Sequence, residues 1–323
     1  MNDPGEIRVL TWNLFHGQDG AGLGPTLRST LLGCGVGDGA FLHLNRKWID
    51  EMADVIASRR PTFAALQEVP PLAVARLAAR TGMRVAHAVM PPLVGSVRLR
   101  GQLAERNPDL WQTHEGAANA VLIAAPWQIV AGGVWTVRHN PPGFVTRTAY
   151  GLRLPRREAL HWLLEPRRLV AVRIRHPAGP TVTVASLHCH NSLVWELIAH
   201  EVRRVIPRIL ERVPPDEPVL VAGDVNAAGV EHPAIRALVA AGLAEDTTAD
   251  LAMDHVFHRG LRVTSPPRTS PRDVREIDAA HRGRRYRVLL SDHDLVEATY
   301  RIPEGVSSGV PSDVRPLTTP RSP

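Results

Sequence analysis

Short, almost wholly apolar runs recur along this chain, separated by stretches with helical spacing, and nearly every run halts at a polar side chain. No other feature constrains the fold as much, because strands apolar on both faces must be covered on both faces. The runs are Ile7 to Asn13, Phe63 to Leu66, Ala117 to Ala124, Leu169 to Arg175, Val182 to Leu187, Val219 to Ala222, Met253 to Phe257, Val288 to Leu290 and Leu295 to Tyr300. Between them, Trp48, Met52, Val55 and Ile56 repeat at the interval of one buried helical face, which Pro61 stops. A second helix is expected from Pro70 to Gly82, prolines at its start and glycine past its end. Leu193 to Val213 reads as a third, with Leu197, Ile198, Val205, Ile209 and Leu210 as its apolar stripe, Ser192 as its cap and Pro207 as a bend. Such interleaving predicts α/β layers rather than separate α and β parts. Gly17 to Gly39 reads as a long surface loop, and no repeat of fixed period occurs. Nothing in composition divides residues 6 to 302. Beyond Ile302 the chain is rich in Pro, Ser and Thr, so one domain over 1–302 and a disordered tail over 303–323 are expected.

Composition narrows the class. A 323-residue chain that is 44% apolar can bury a sizeable core. It has no uninterrupted apolar run of about 18 residues, so no membrane anchor is expected, and Met1 to Glu6 lacks the basic flank and apolar run of a secretory signal. Two cysteines, Cys34 and Cys189, are too few for a disulfide scaffold and suit reduced thiols in a cytoplasmic protein. A net charge of +6 and a pI of about 10.2 suit a polyanionic partner. Yet Lys47 is the only lysine among 38 basic residues, a bias that reflects codon pressure more than phosphate binding.

The polar residues that end the runs are Asn13, Glu68, His188, Asp224, Asn226 and the pair Asp292-His293, while Asp254 opens one. Strands laid side by side would bring these ends to one rim, where α/β folds place their sites. Any one of them alone reads as a turn former or a helix cap. Seven such positions together point to a site.

Thr11-Trp12-Asn13, Leu66-Gln67-Glu68-Val69, Leu187-His188, Gly223-Asp224-Val225-Asn226, Asp254-His255-Val256 and Ser291-Asp292-His293 follow one another in that order. The set resembles the endonuclease/exonuclease/phosphatase superfamily of deoxyribonucleases, AP endonucleases, neutral sphingomyelinases and inositol polyphosphate 5-phosphatases, from about residue 7 to 300. The resemblance implies a four-layer α/β sandwich, two face-to-face mixed β-sheets flanked by helices. It also implies hydrolysis of a phosphate ester, a phosphodiester and most naturally a nucleic acid, with Mg²⁺ or Mn²⁺ as cofactor. By the same resemblance Glu68 would hold the cation, with Asn13 beside it and Asp292 facing it or a second ion. Asp224 and Asn226, two apart and so on one face of an extended strand, would position the attacking water and a phosphate oxygen. His188 and His293 would flank the phosphate and donate to its oxygens, with Asp254 fixing the tautomer of His293.

Pro70 stands where deoxyribonucleases of the family carry arginine and AP endonucleases lysine, which removes one phosphate contact of the DNA-cutting branches. Two other functions therefore stand beside a nuclease. One is a phosphatase or phospholipase C acting on a small molecule or lipid headgroup with the same centre. The other is a binding module with a dead site, although no Glu, Asp or His of the set is lost. His188-Cys189-His190 offers a zinc reading as well, since i and i+2 share a strand face, but no spaced cluster of the structural type accompanies it. His16, His190, His200 and His255 take no role. Two arginine-rich segments, 147–176 and 259–287, read equally as rim loops that contact phosphate or as arginine-biased surface loops.

Overall fold

The computed structural model describes residues 5–20, 34–36, 41–91, 95–111, 114–245, 253–281 and 283–303. Its first strands are β1 (Glu6–Asn13), β2 (Cys34–Val36), β3 (Leu42–Leu44), β4 (Phe63–Val69), β5 (Arg84–Met90), β6 (Ala117–Ile123) and β7 (Gln128–Arg138). There follow β8 (Arg168–Arg175), β9 (Thr181–His188), β10 (Val219–Asp224), β11 (Ala244–Glu245) and β12 (Asp254–Arg259). The last are β13 (Arg262–Thr269), β14 (Glu276–His281), β15 (Arg284–Leu289) and β16 (Val296–Arg301). The helices are α1 (Ile49–Arg59), α2 (Val74–Thr81), α3 (Val97–Arg106), α4 (Pro108–Trp111), α5 (Pro142–Gly151), α6 (Arg156–Leu164), α7 (Trp195–Leu210) and α8 (Pro233–Ala240).

Two six-stranded sheets carry the molecule, in the orders β13-β16-β1-β4-β6-β5 and β11-β12-β10-β9-β8-β7. Each is antiparallel except at its middle, where β1 runs parallel to β4 and β9 parallel to β10. Alternation along the central strands decides what each face buries. Ile7, Val9, Phe63 and Ala65 of the first sheet meet Val182, Val184, Leu220 and Ala222 of the second in one core. The residues between them point outward: Leu10, Trp12 and Leu66 pack under Ile49, Met52 and Ile56 of α1 and Leu77 of α2. On the far side Val219, Val221 and Leu187 pack under Ile198, Val202 and Val205 of α7 and Leu238 of α8. Helix, sheet, sheet and helix make the four-layer sandwich that the sequence resemblance implies. Each fully buried Leu, Ile or Val contributes about 1.5–3 kcal/mol of hydrophobic stabilisation.

Several local expectations change. Cys34–Val36, within the stretch read as a loop, pairs antiparallel with Leu42–Leu44; residues 21–33 and 37–40 lie outside the described ones. Ser192 does not cap α7, because its hydroxyl accepts from Val194 N and donates to Glu158. Pro207 sits three residues from the end of α7, which continues to Leu210. The arginine-rich segments are mostly regular structure: the first forms α6 and β8 with a short connection at 165–167 that places Arg167 on the cavity, and the second forms β13 and the β14–β15 hairpin. The tail read over 303–323 lies, apart from Pro303, outside the described residues.

Candidate active site

The four central strands, two from each sheet, end together. Asn13 closes β1, Asp224 closes β10 and His188 closes β9, while Glu68 sits one residue before the end of β4. Asp224 lies in register with His188 on one side and Asp254 on the other. Close approach here needs a glycine: a Cβ on Gly223, which has φ of 148°, would stand 1.9 Å from Leu187 O. Glu68 would continue the pleat, yet the β4–β6 register slips between Leu66 and Val69 and Glu68 takes a φ of 50°. This irregularity aims its carboxylate into the cavity while Gln67, fully buried, donates to Ser186 Oγ of the opposite sheet at 3.0 Å. Asn226 (φ 51°) and Ser291 (φ 58°) are likewise left-handed, and such backbone strain gathers at functional positions.

Asp224 and Asn226 do not share a strand face, because β10 stops at Asp224 and the chain turns. A turn joins them instead: Asn226 N donates to Asp224 Oδ1 at 2.8 Å, and the Asn226 amide donates to Cys189 O at 2.9 Å. Asn13 Nδ2 donates to Asp224 Oδ2 at 3.1 Å while its Oδ1 accepts from Phe15 N, so Asn13 reaches the centre through Asp224.

His293 Nδ1 lies 2.9 Å from Asp254 Oδ2, and its Nε2 lies 3.8 Å from Asp224 Oδ2. Burial opposes charge on this ring, but the Asp254 hydrogen bond and the charges of Asp254, Asp224 and Asp292 outweigh it and raise the pKa to about 10. Burial, reinforced by the charge of Asp254, pushes Asp224 up to about 7. The turn bearing Asp292 and His293 is pinned from both sides. Ser291 Oγ donates to Asn13 O and accepts from His293 N, and Trp12 Nε1 donates to His293 O. Arg275, buried, donates to Leu290 O and Ser291 O and contacts Asp294.

His188 behaves differently from His293. Its Nε2 lies 3.6 Å from both Glu68 Oε1 and Asp224 Oδ2, but it also meets the guanidinium of Arg167. Burial first, then the Arg167 charge, holds its pKa well below the usual imidazole value, so the ring is neutral. The cation on this side is Arg167, 5% exposed, whose second terminal nitrogen donates to Glu165 Oε1 at 2.6 Å. Asn140 fixes the segment by accepting from Arg167 N and donating to Glu165 O. His16, given no role from sequence, also reaches the centre. Its Nε2 lies 3.7 Å from Glu68 Oε2 and its Nδ1 3.4 Å from Glu115, which in turn holds Lys47 at 2.6 Å.

These groups line a cavity of about 790 Å³, within the range of small-ligand sites. Glu68, His188, Asp224, Asn226, Asp292 and His293 face it, with His16, Arg100, Arg167 and the apolar Phe15, Met90 and Leu164. Asn13 and Asp254 stand behind the wall. None of the described residues of 259–287 lines it.

The family model described as Endonuclease/Exonuclease/phosphatase matches residues 10–293. No curated protein matches the chain significantly. Among solved structures, an endonuclease/exonuclease/phosphatase family protein from Bacteroides thetaiotaomicron superposes with a TM-score of 0.61 at 12% identity, over 94% of this chain and 100% of that one. A mannosyl-6-phosphatase from Bacteroides thetaiotaomicron VPI-5482 gives 0.59 at 12% identity, over 91% and 99%. The human Nocturnin catalytic domain with bound sulfate gives 0.57 at 14% identity, over 94% and 97%. At these identities the likeness is one of fold.

Proposed function

The chain belongs to the endonuclease/exonuclease/phosphatase family and is a phosphoesterase of that fold; we propose that it hydrolyses phosphodiesters with a divalent metal ion, with nucleic acid as the substrate class. The observation that carries this reading is geometric: His293, bonded to Asp254 through Nδ1 at 2.9 Å, turns its Nε2 to the cavity 3.8 Å from Asp224 Oδ2, and burial and the charge of Asp254 push Asp224 up to about 7. A base poised near the working pH can take a proton from water, and a charged imidazole can donate to a phosphoryl oxygen as its charge grows. Asp254, bonded to His293 Nδ1, leaves Nε2 as the donor. His188 is neutral and accepts from Arg167, so the second positive charge on the phosphate comes from Arg167 rather than from His188. Asn226 and Asn13 hold Asp224 in place.

The donor set fits Mg²⁺, or Mn²⁺ in its place. Glu68 and Asp292 offer hard carboxylate oxygens to the cavity, and no arginine or lysine is bonded to Glu68 among the described residues. These two would hold the ion, which when bound would supply charge neutralisation for the phosphate oxygens. A cytoplasmic location, with Cys189 a buried free thiol, belongs to the same proposal. No helix among the described residues is long and apolar enough to cross a membrane.

The size of the cavity favours a second reading, hydrolysis of a small or lipid-headgroup phosphate ester. Single- and double-stranded DNA, RNA, bis-p-nitrophenyl phosphate and p-nitrophenyl phosphate separate the two. Chelator-sensitive cleavage of a polymer, reduced about 10³-fold or more in Glu68→Ala, is expected. Intact polymers with faster turnover of the monoester would transfer the assignment to the second reading.

A further inference from the structure

A second cluster of ligating side chains stands on the same cavity wall, linked to the first through Arg167, which meets both His188 and Glu165. His161 lies in the last turn of α6, Glu165 follows that helix, and His190 lies two residues past the end of β9. Glu165 Oε2 is 3.5 Å from His190 Nδ1 and 3.7 Å from His161 Nε2, and one ligand atom from each residue lies within 4.8 Å of the other two. The two imidazoles are 5.1 Å apart between ring centres. His190 is wholly buried, yet neither of its ring nitrogens has a hydrogen-bond partner, a state that buried polar groups rarely hold without a bound ion or water. Its backbone is fixed by donation to Glu201 Oε2 at 2.9 Å, so the ring is aimed rather than loose.

We propose that His161, Glu165 and His190 form a binding site for a transition cation of the Zn²⁺ class. Two imidazoles with one carboxylate suit Zn²⁺, Co²⁺ or Ni²⁺ better than Mg²⁺. Bonds of about 2.0–2.1 Å in a tetrahedron place neighbouring ligands about 3.4 Å apart, close to the spacings seen here. Arg167 holds Glu165 Oε1 and leaves Oε2 turned to the imidazoles, the orienting role of a group behind a ligand. Burial, with Arg167 adding to it, keeps His190 neutral, the form that ligates. With three protein ligands a fourth position stays open. His161 and Glu165 line the cavity, so that position faces an entering substrate oxygen. His188 takes no part: no cluster of three ligand atoms among the described residues includes both His188 and His190.

The site stands independently of the proposed hydrolysis, and binding tests it directly. Metal-stripped protein is titrated with Zn²⁺ by calorimetry in excess Mg²⁺, and the Zn²⁺-induced rise in Tm is recorded. One equivalent should bind to the wild type and to Glu68→Ala. His161→Ala, at an exposed position, and the near-isosteric Glu165→Gln should lower the affinity about 100-fold and abolish the rise in Tm. Failure of the wild type to bind, or His161→Ala binding as tightly as wild type, overturns the site. Loss of binding in Glu68→Ala also overturns it, by assigning the ion to the carboxylate centre. A chain that cuts no phosphate ester but binds Zn²⁺ through His161 would refute the function and keep the site.

Discussion

Two histidines of this protein share the same chemistry and differ in what surrounds it. His293 faces Asp254, and His43 is gripped by Asp19 through Nδ1 at 2.8 Å and by Asp109 through Nε2 at 3.1 Å. In each case burial works against the charge, carboxylate partners prevail, and the pKa rises to about 10. His43 has both ring nitrogens occupied, and Asp19 also accepts from Leu44 N and Trp48 Nε1, so this cluster ties β3, α1 and α4 together. His293 uses one nitrogen and turns the other to the cavity. A raised pKa is therefore no mark of a catalytic group. What sets His293 apart is the ring nitrogen it turns to the cavity.

The largest test of that contrast is the loss of the open donor. His293→Gln should lower kcat of the folded protein by about 10²- to 10⁴-fold, beyond any fall in Tm from losing the Asp254 pair; a variant that keeps turnover would remove His293 from the chemistry. His43→Gln should do the reverse. Two buried aspartates lose their counter-charge, so stability should fall by roughly 3–5 kcal/mol, read as a shift in urea midpoint, with kcat of the folded fraction unchanged. If kcat collapses and the midpoint holds, the two clusters are not separate in function. The smallest effect is on pH. Each imidazole has a folded pKa above its unfolded value near 6.5, so its stabilisation is complete below that value and is lost as pH climbs through about 10. Asp224 acts in the same direction at lower pH, since a carboxyl raised to about 7 favours folding only while it is protonated. Tm of the wild type should fall from pH 7 to 10, and less steeply in His43→Gln. Parallel slopes would show that His43 is not charged in the fold.

The strand ends were legible because runs such as Val219–Asp224 and Thr181–His188 are buried on both faces and change character abruptly where they meet the cavity. Elements with weaker contrast were not. Strand β13 contains Pro266 and Pro267, tolerated because it lies at a sheet edge, and β7 is broken by Gly132-Gly133 beside a register shift. The β14–β15 hairpin is mostly polar. Arg167 was hidden for another reason. In a chain whose cations are nearly all arginine, identity carries no signal, and its position depends on Asn140, 27 residues away. His16 likewise depends on a loop and on Glu115. The pairing of Asp224 with Asn226 was foreseen, but its cause is a turn and not a pleat.

The parallel pair at the heart of each sheet has a consequence for biosynthesis. Asn13 and Glu68 come from one sheet, His188 and Asp224 from the other, and the third contribution, His293, leaves the ribosome last and docks on β1 through Ser291. A chain made only as far as Asp254 therefore carries Glu68, Asp224 and Asp254 without Asp292 and His293. The cavity is complete only once the final strand has closed against the first.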